Sequence, residues 1–342
     1  MMNSPFEEIK ASSAVEFLDY LRLTNPIWQD VSRGWRHAWL FRGQSSASLP
    51  LIPSIWRTDE HSTITKMLDL YLKKPNVESD RKSIRALLPK GEIFQGVEMV
   101  EHFFENAFQL YSRTQIEISL ITSLLEQALL RGINLPDYMR VREFVNRYSG
   151  KGVPYFIDQL TSKQFDTLDK DFLSVIHNNS FFALAQHHGI PTRLLDWTTS
   201  PYIAAFFAAE NALQKKDGCL TVFAAHENLL HVRGIINFPF PKSDNPFLHA
   251  QRGELTIYSG SSHYLFNGEF PTVDRLLEQG SDWCQEIRPL KITLPVEKAA
   301  ELLRLLAVYE GIARDQLMPT FDNIVHVVKQ RYMLDLEHSG GQ

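Results

Sequence analysis

AQHHGIPTRLLDWTTSPYIAAFFAA, residues Ala185 to Ala209, sets histidine, arginine, aspartate, tryptophan, threonine and serine between two strongly apolar runs. Polar groups in such a setting are costly unless each finds a partner. A folding sequence does not need that density of them, so the stretch is read as the centre of a site. Its punctuation also places the elements. Gly189 is the expected stop of a helix running from Phe172 to His188. Pro191 and LLDWTT read as a short loop and strand. Ser200-Pro201 offers a serine N-cap and a first-turn proline to a helix reaching roughly Lys215.

Upstream, Val15, Leu18 and Leu21 lie on one face of a helix over Ser13–Leu23, and WRHAWLFRG (Trp35–Gly43) suits a strand stopped by glycine. A proline-punctuated loop, LPLIPSIWR, follows it. Residues 59–80 are polar and mixed, without a clear pattern. From about Glu92 to Tyr148 apolar residues recur at threes and fours, which predicts a helical layer interrupted near Gly132 and Pro136. Downstream, CLTVFAAH, GELTIYSG and EIRPLKITLP read as strands. VEKAAELLRLLAVYEG is an amphipathic helix closed by Gly311, and FDNIVHVVKQRY is a last helix. The expected class is α+β, a split mixed or antiparallel sheet surrounded by helices.

The 342 residues suffice for one large domain or two ordinary ones, and 44% apolar with 22% charged residues is a globular composition. A net charge of −5 argues against bulk electrostatic attraction to nucleic acid or anionic membrane. Cys219 and Cys284 form no CxxC pair, which disfavours a disulfide framework or cysteine-rich zinc site and fits a reducing cytoplasm. The opening MMNSPFEEIK lacks the features of a signal peptide, and no apolar run is long enough to span a bilayer. The expectation is a cytoplasmic chain with no membrane partner.

Arg42 is the sharpest single candidate, because a guanidinium is a rigid fork of donors suited to a pyrophosphate or carboxylate. Gly43 after it allows a ligand or a second backbone to approach closely, and Gln44 completes the segment. The competing reading ties Arg42 to Asp196 as a structural charge pair. Asp196 needs donors, which Arg42 or Arg193 can supply. Such neighbours oppose a raised pKa and favour an orienting role over proton transfer. Trp197 stacks on a planar ring or belongs to the core. Thr198, Thr199 and Ser200 open a helix whose N-terminus caps itself and can also receive an anion. His187 and His188 sit at a helix end, where they complement the dipole and, with Gln186, can line a cleft. No further ligand pattern accompanies them, so no metal is expected.

WLFRGQ (Trp39–Gln44) followed by LPLIPSIWR resembles the signature that gives the FRG domain its name. AQHHGIPTRLLDWTTSPYIAAFFA is similar to that family's second block, AQRGELTIYSG to its third, and EGIARDQLMPTFDNIVHVVK to its C-terminal pattern. Leu255 and Met318 stand where the family favours phenylalanine. The resemblance runs from about Trp35 to Gln330 and implies residues 1–34 as a helical lead-in. Residues 35–335 would then be an FRG domain with a helical insertion at about 92–150.

The order of elements also resembles ADP-ribosyltransferases, which bind NAD between two small sheets. They use an arginine or histidine on a first strand, a Ser/Thr strand leading into a helix, and a carboxylate on a later strand. Arg42, Thr198-Thr199-Ser200 and Gln251-x-x-Glu254 occupy those places. This resemblance implies NAD as substrate, with Arg42 and Gln251 or Glu254 as catalytic candidates. The binding residues would be Arg42, Gly43, Gln44, His187, Arg193, Asp196, Trp197, Thr198 and Ser200. A carboxylate there stabilises the oxocarbenium character that develops as nicotinamide leaves. The acceptor would be a protein, a nucleic acid or water, in a toxin or defence effector. The other readings are a non-catalytic module that recognises a nucleotide, nucleic-acid end or protein, and a fold-holding polar network.

Overall fold

Among the described residues, seven strands form one mixed sheet. They are β1 (Glu7–Lys10), β2 (Trp39–Gln44), β3 (Leu195–Thr198), β4 (Cys219–His226), β5 (Ile236–Phe238), β6 (Gly253–Ile257) and β7 (Leu290–Pro295). Their order is β1-β7-β4-β2-β3-β6-β5, with β1 parallel to β7 and every other neighbouring pair antiparallel. The computed structural model describes residues 6–28, 38–60, 62–87, 97–135, 138–148, 152–153, 156, 180–238, 245–278, 287–318, 320, 322–329 and 332. The α+β class with a mixed sheet therefore holds.

The helices before the polar stretch are α1 (Ala14–Leu21), α2 (Thr63–Tyr71), α3 (Val77–Leu87), α4 (Val97–Leu130), α5 (Tyr138–Tyr148) and α6 (Ser180–His187). After it come α7 (Pro201–Glu210), α8 (Glu227–Val232), α9 (Pro246–Ala250), α10 (Ser261–Asn267), α11 (Val273–Glu278), α12 (Ala299–Tyr309) and α13 (Arg314–Leu317). Residues 322–329 are helical as expected. The part of the predicted helix that covers 172–179 lies outside the described residues.

Strand alternation decides which core each side chain joins. Phe41, Val222, Ala224 and Ile292 point to one face and pack against α1, α7 and α12 through Phe17, Ala204, Ala208 and Leu302. Leu40, Phe223, Ala225, Leu195 and Trp197 point to the other, where Trp56, Phe103, Phe108 and Tyr264 cover them. A third cluster joins Leu255 and Ile257 of β6 to Ile121, Leu125 and Phe181. Each such large apolar side chain contributes about 1.5–3 kcal/mol on burial. The 34-residue α4 serves two of these cores, Phe103 to Ile116 one and Ile118 to Ala128 the other.

Two details differ from expectation. On α1 the buried face is Ala14, Phe17 and Leu21, while Val15 is exposed. Residues 59–80, left without a pattern, contribute α2 and the start of α3, each held to α4 by a few buried residues such as Ile64, Leu68 and Val77.

The joint between β2 and β3 positions the site. β2 runs beside β4 for six residue pairs, yet it meets β3 only where Phe41 faces Thr198. The sheet thus splits into a four-stranded part (β1, β7, β4, β2) and a three-stranded part (β3, β6, β5). Over the split lies α7, whose approach depends on Gly43. A Cβ on Gly43 would lie 1.8 Å from the Ala204 carbonyl oxygen. The glycine admits a second backbone, one of the two approaches the sequence leaves open.

Candidate functional site

Where β2 and β3 part, backbone carbonyls lose their ladder donors and need others. Arg42, between Leu40 and Gln44, leaves β2 on the face away from α7 and turns its guanidinium into the gap. Nη1 donates to the Asp196 carbonyl oxygen at 2.6 Å and lies 3.8 Å from Asp196 Oδ2. Nε is buried without an acceptor among the described residues. Burial lowers the pKa of Arg42, Asp196 acts against that, and Arg57 adds to it. The group remains a cation, since guanidinium does not lose its proton in proteins.

A cleft of about 320 Å³ opens at the split, lined by Arg42, Gly43, Gln186, His187, Asp196 and Gln251 among others. Phe207 of α7, Asn211 at its C-cap and Met318 also line it. Asp196 shares the α7 face with Thr198, by alternation along β3. Its side chain is 61% exposed, against 14% for Arg42. Gln186 Nε2 donates to Asp196 Oδ1 at 2.5 Å.

His187 ends α6 with its ring stacked on Phe247, centroids 4.1 Å apart. Burial pushes its pKa down, His188 adds to that, and Asp196 opposes both. The Asp196 carboxylate thus faces an imidazole whose protonated form burial disfavours. Gly189, at φ +85, takes the chain off the helix end. Among the described residues no group of three or more histidine, cysteine, aspartate or glutamate side chains is close enough to hold a metal ion.

Several expected site residues stand elsewhere. Arg193 does not reach Asp196. It is buried with Glu117 of α4, Nη2 to Oε2 at 2.6 Å and Nε to Oε2 at 3.1 Å. A carboxylate with no exposed side-chain surface in an apolar helix requires such a partner. Trp197 does line the cleft, beside Thr198, but it is only 3% exposed, and its indole N–H donates to Thr256 Oγ1 at 2.9 Å. Gln44 donates to the Pro50 carbonyl at 3.4 Å and braces the following loop. Gln44, like Arg193, is absent from the lining of the cleft.

Glu254 faces Trp197 across the β3–β6 ladder, so both side chains point away from Asp196 and Thr198. It is buried and is not part of the cleft. Gln251 lies at the C-cap of α9 and not on the strand, which begins at Gly253. Its carbonyl accepts from Thr198 Oγ1 at 2.7 Å, and its amide donates to the Leu317 carbonyl at 3.4 Å. The positive φ of Arg252 makes the turn between them.

Ser200 caps α7 through the Ile203 N–H at 3.4 Å. It opens onto a neighbouring cavity of about 570 Å³ with Thr199, Tyr202 and Arg252. Arg42 and Gln251 therefore share a cleft that Ser200 does not join.

Residues 126–217 match the family model of the FRG domain. Over this segment the chain is similar to FRG domains. No curated protein and no solved structure matches the chain. The matched FRG segment starts within α4 and runs past α7, and so contains Gln186, His187 and Asp196. Arg42 and Gln251 come to the cleft from outside it, through the β2–β3 joint and the turn before β6.

Phe207 and Asn211 had no place in the sequence reading of the site, because an apolar run such as PYIAAFFAA signals core before it signals a wall. Gln186, expected with the histidines to line the cleft, does line it. Its reach across the loop to Asp196 is what the sequence pattern does not show.

Proposed function

We propose that the cleft at the split of the sheet binds NAD, and that the protein acts on it in the manner of ADP-ribosyltransferases, by transfer or hydrolysis. The observation that carries this reading is the pairing of Arg42 and Asp196 across two strands that share one residue pair. The arrangement sets a fixed cation and a solvent-facing carboxylate side by side at the mouth of a cleft with an aromatic wall, Phe207. An arginine fork suits the pyrophosphate. His187 and Phe207 offer ring faces to a base.

In the reaction the bond between nicotinamide and the ribose anomeric carbon breaks, and its electron pair leaves with nicotinamide. An acceptor oxygen, or water, forms the new bond and gives up its proton to solvent. Asp196 is the carboxylate available to face the positive charge that develops on the ribose. Glu254, on the far face of β6, is not in reach of that role.

A second reading has its own support. With Gln251 in the third place, an amide orients a ribose hydroxyl but stabilises a cation poorly, which suits binding without turnover. Incubation of the purified protein with NAD discriminates them. Nicotinamide release supports the enzyme. An NAD-dependent rise in melting temperature without release supports a binding module, and neither effect removes NAD from the account.

A further inference from the structure

We propose that Gln186 is a positioning residue, which together with Thr192 fixes the Asp196 carboxylate over the split. The inference rests on the reading of this cleft as a ligand site, and the geometry that carries it is a chain of hydrogen bonds with one direction. Thr192 is fully buried and tied to the loop after β2. Its N–H donates to Ser54 Oγ at 3.1 Å, and its carbonyl accepts from the Ile55 N–H at 3.3 Å. Thr192 Oγ1 accepts from the Leu194 N–H at 3.3 Å and donates its one proton to Gln186 Oε1.

That donation settles which end of the Gln186 amide faces which way. The carbonyl end meets Thr192, so the NH₂ end meets Asp196 Oδ1 at 2.5 Å. The reversed amide would set oxygen against carboxylate and leave the Thr192 proton unused. With Oδ1 engaged, Oδ2 is turned toward Arg42. A carboxylate side chain so exposed would otherwise sample several rotamers. The circuit runs from β2 through Ser54, Thr192, Gln186 and Asp196 back to Arg42 on β2, and it braces both banks of the split.

The test reads the carboxylate directly, without a ligand. Aspartate side chains are labelled with ¹³C in the full-length protein, and the Asp196 signal is assigned by its loss in Asp196→Asn. The signal is then followed against pH in wild type, Thr192→Val and Thr192→Ser. Arg42 from β2 and His187 from α6 are the charged or titratable groups that face it among the described residues, and both are kept. A hydrogen bond donated to the ionised form favours that form. Thr192→Val is therefore expected to raise the Asp196 midpoint, and Thr192→Ser to restore it. An unchanged midpoint in Thr192→Val overturns the proposal, since loss of mere structural support lowers the melting temperature without moving that midpoint. Should Thr192→Val not fold, Gln186→Leu is read in the same way, with the same rise expected and the same overturning result. NAD binding measured on the same samples keeps the two ideas apart: a raised midpoint with no NAD response leaves Gln186 as the positioning residue and removes NAD alone.

Discussion

The Arg42 guanidinium donates to the backbone carbonyl of Asp196 and also faces its carboxylate, so one side chain mends the sheet and frames the cleft. The two duties predict separable losses. Arg42→Ala leaves a carbonyl without its donor, which costs about 1–3 kcal/mol of stability. It also removes the cation, which under the proposed function weakens NAD binding about tenfold or more. Arg42→Lys keeps the charge but not the fork, so stability recovers further than affinity does. Chemical denaturation and calorimetric titration with NAD on the two variants separate the effects.

Gly43 predicts a loss of stability through the packing of α7. A Cβ there meets the Ala204 carbonyl and the Ala208 amide, both part of a helix backbone that cannot rotate away. Gly43→Ala is expected to destabilise by about 1–3 kcal/mol or more as α7 is pushed off β2. A urea midpoint equal to that of wild type would contradict the close approach.

The Arg193–Glu117 pair predicts a double-mutant cycle with strong coupling. Removal of one partner, as in Arg193→Met, strands a buried charge at a cost of about 3–5 kcal/mol. Arg193→Met with Glu117→Leu recovers much of that. Because the pair stands outside the cleft, the double variant keeps NAD affinity; a loss of affinity in a stable double variant would return Arg193 to the site.

His187 contributes a pH dependence of known sign. Its pKa is lower in the folded protein than in the unfolded chain. The unfolded state therefore takes up the proton first as pH falls. The contribution to stability is complete above the ordinary histidine value of about 6.5 and is lost as pH drops from there toward the lower folded value. His187→Gln flattens the stability curve over that window, as melting temperatures from pH 7 to pH 5 will record.

Local patterns in the sequence located the elements around the site. Ser200-Pro201 starts α7 and Gly189 ends α6 because caps and stops act within a turn. LDWT is a strand by the same local logic. What local pattern does not carry is pairing. Glu117 and Arg193 are 76 positions apart, and nothing near either one names the other. Glu254 is turned away from the cleft by its register opposite Trp197, a relation between two strands and not a property of either. Gln251 falls in a turn because Arg252 takes a positive φ, a conformation that an arginine does not announce.

β1 lies parallel to β7, with Glu7 opposite Leu290. During synthesis β1 stays without this partner until residues 290–295 have been made. Pairings of such long sequence separation form slowly, after the local ones. The bank of the cleft that carries Arg42 therefore rests on a sheet completed last, whereas α6, β3 and α7 are assembled from neighbours in sequence. Pulse-labelled hydrogen exchange during refolding is therefore expected to protect the carboxylate side of the cleft before the arginine side.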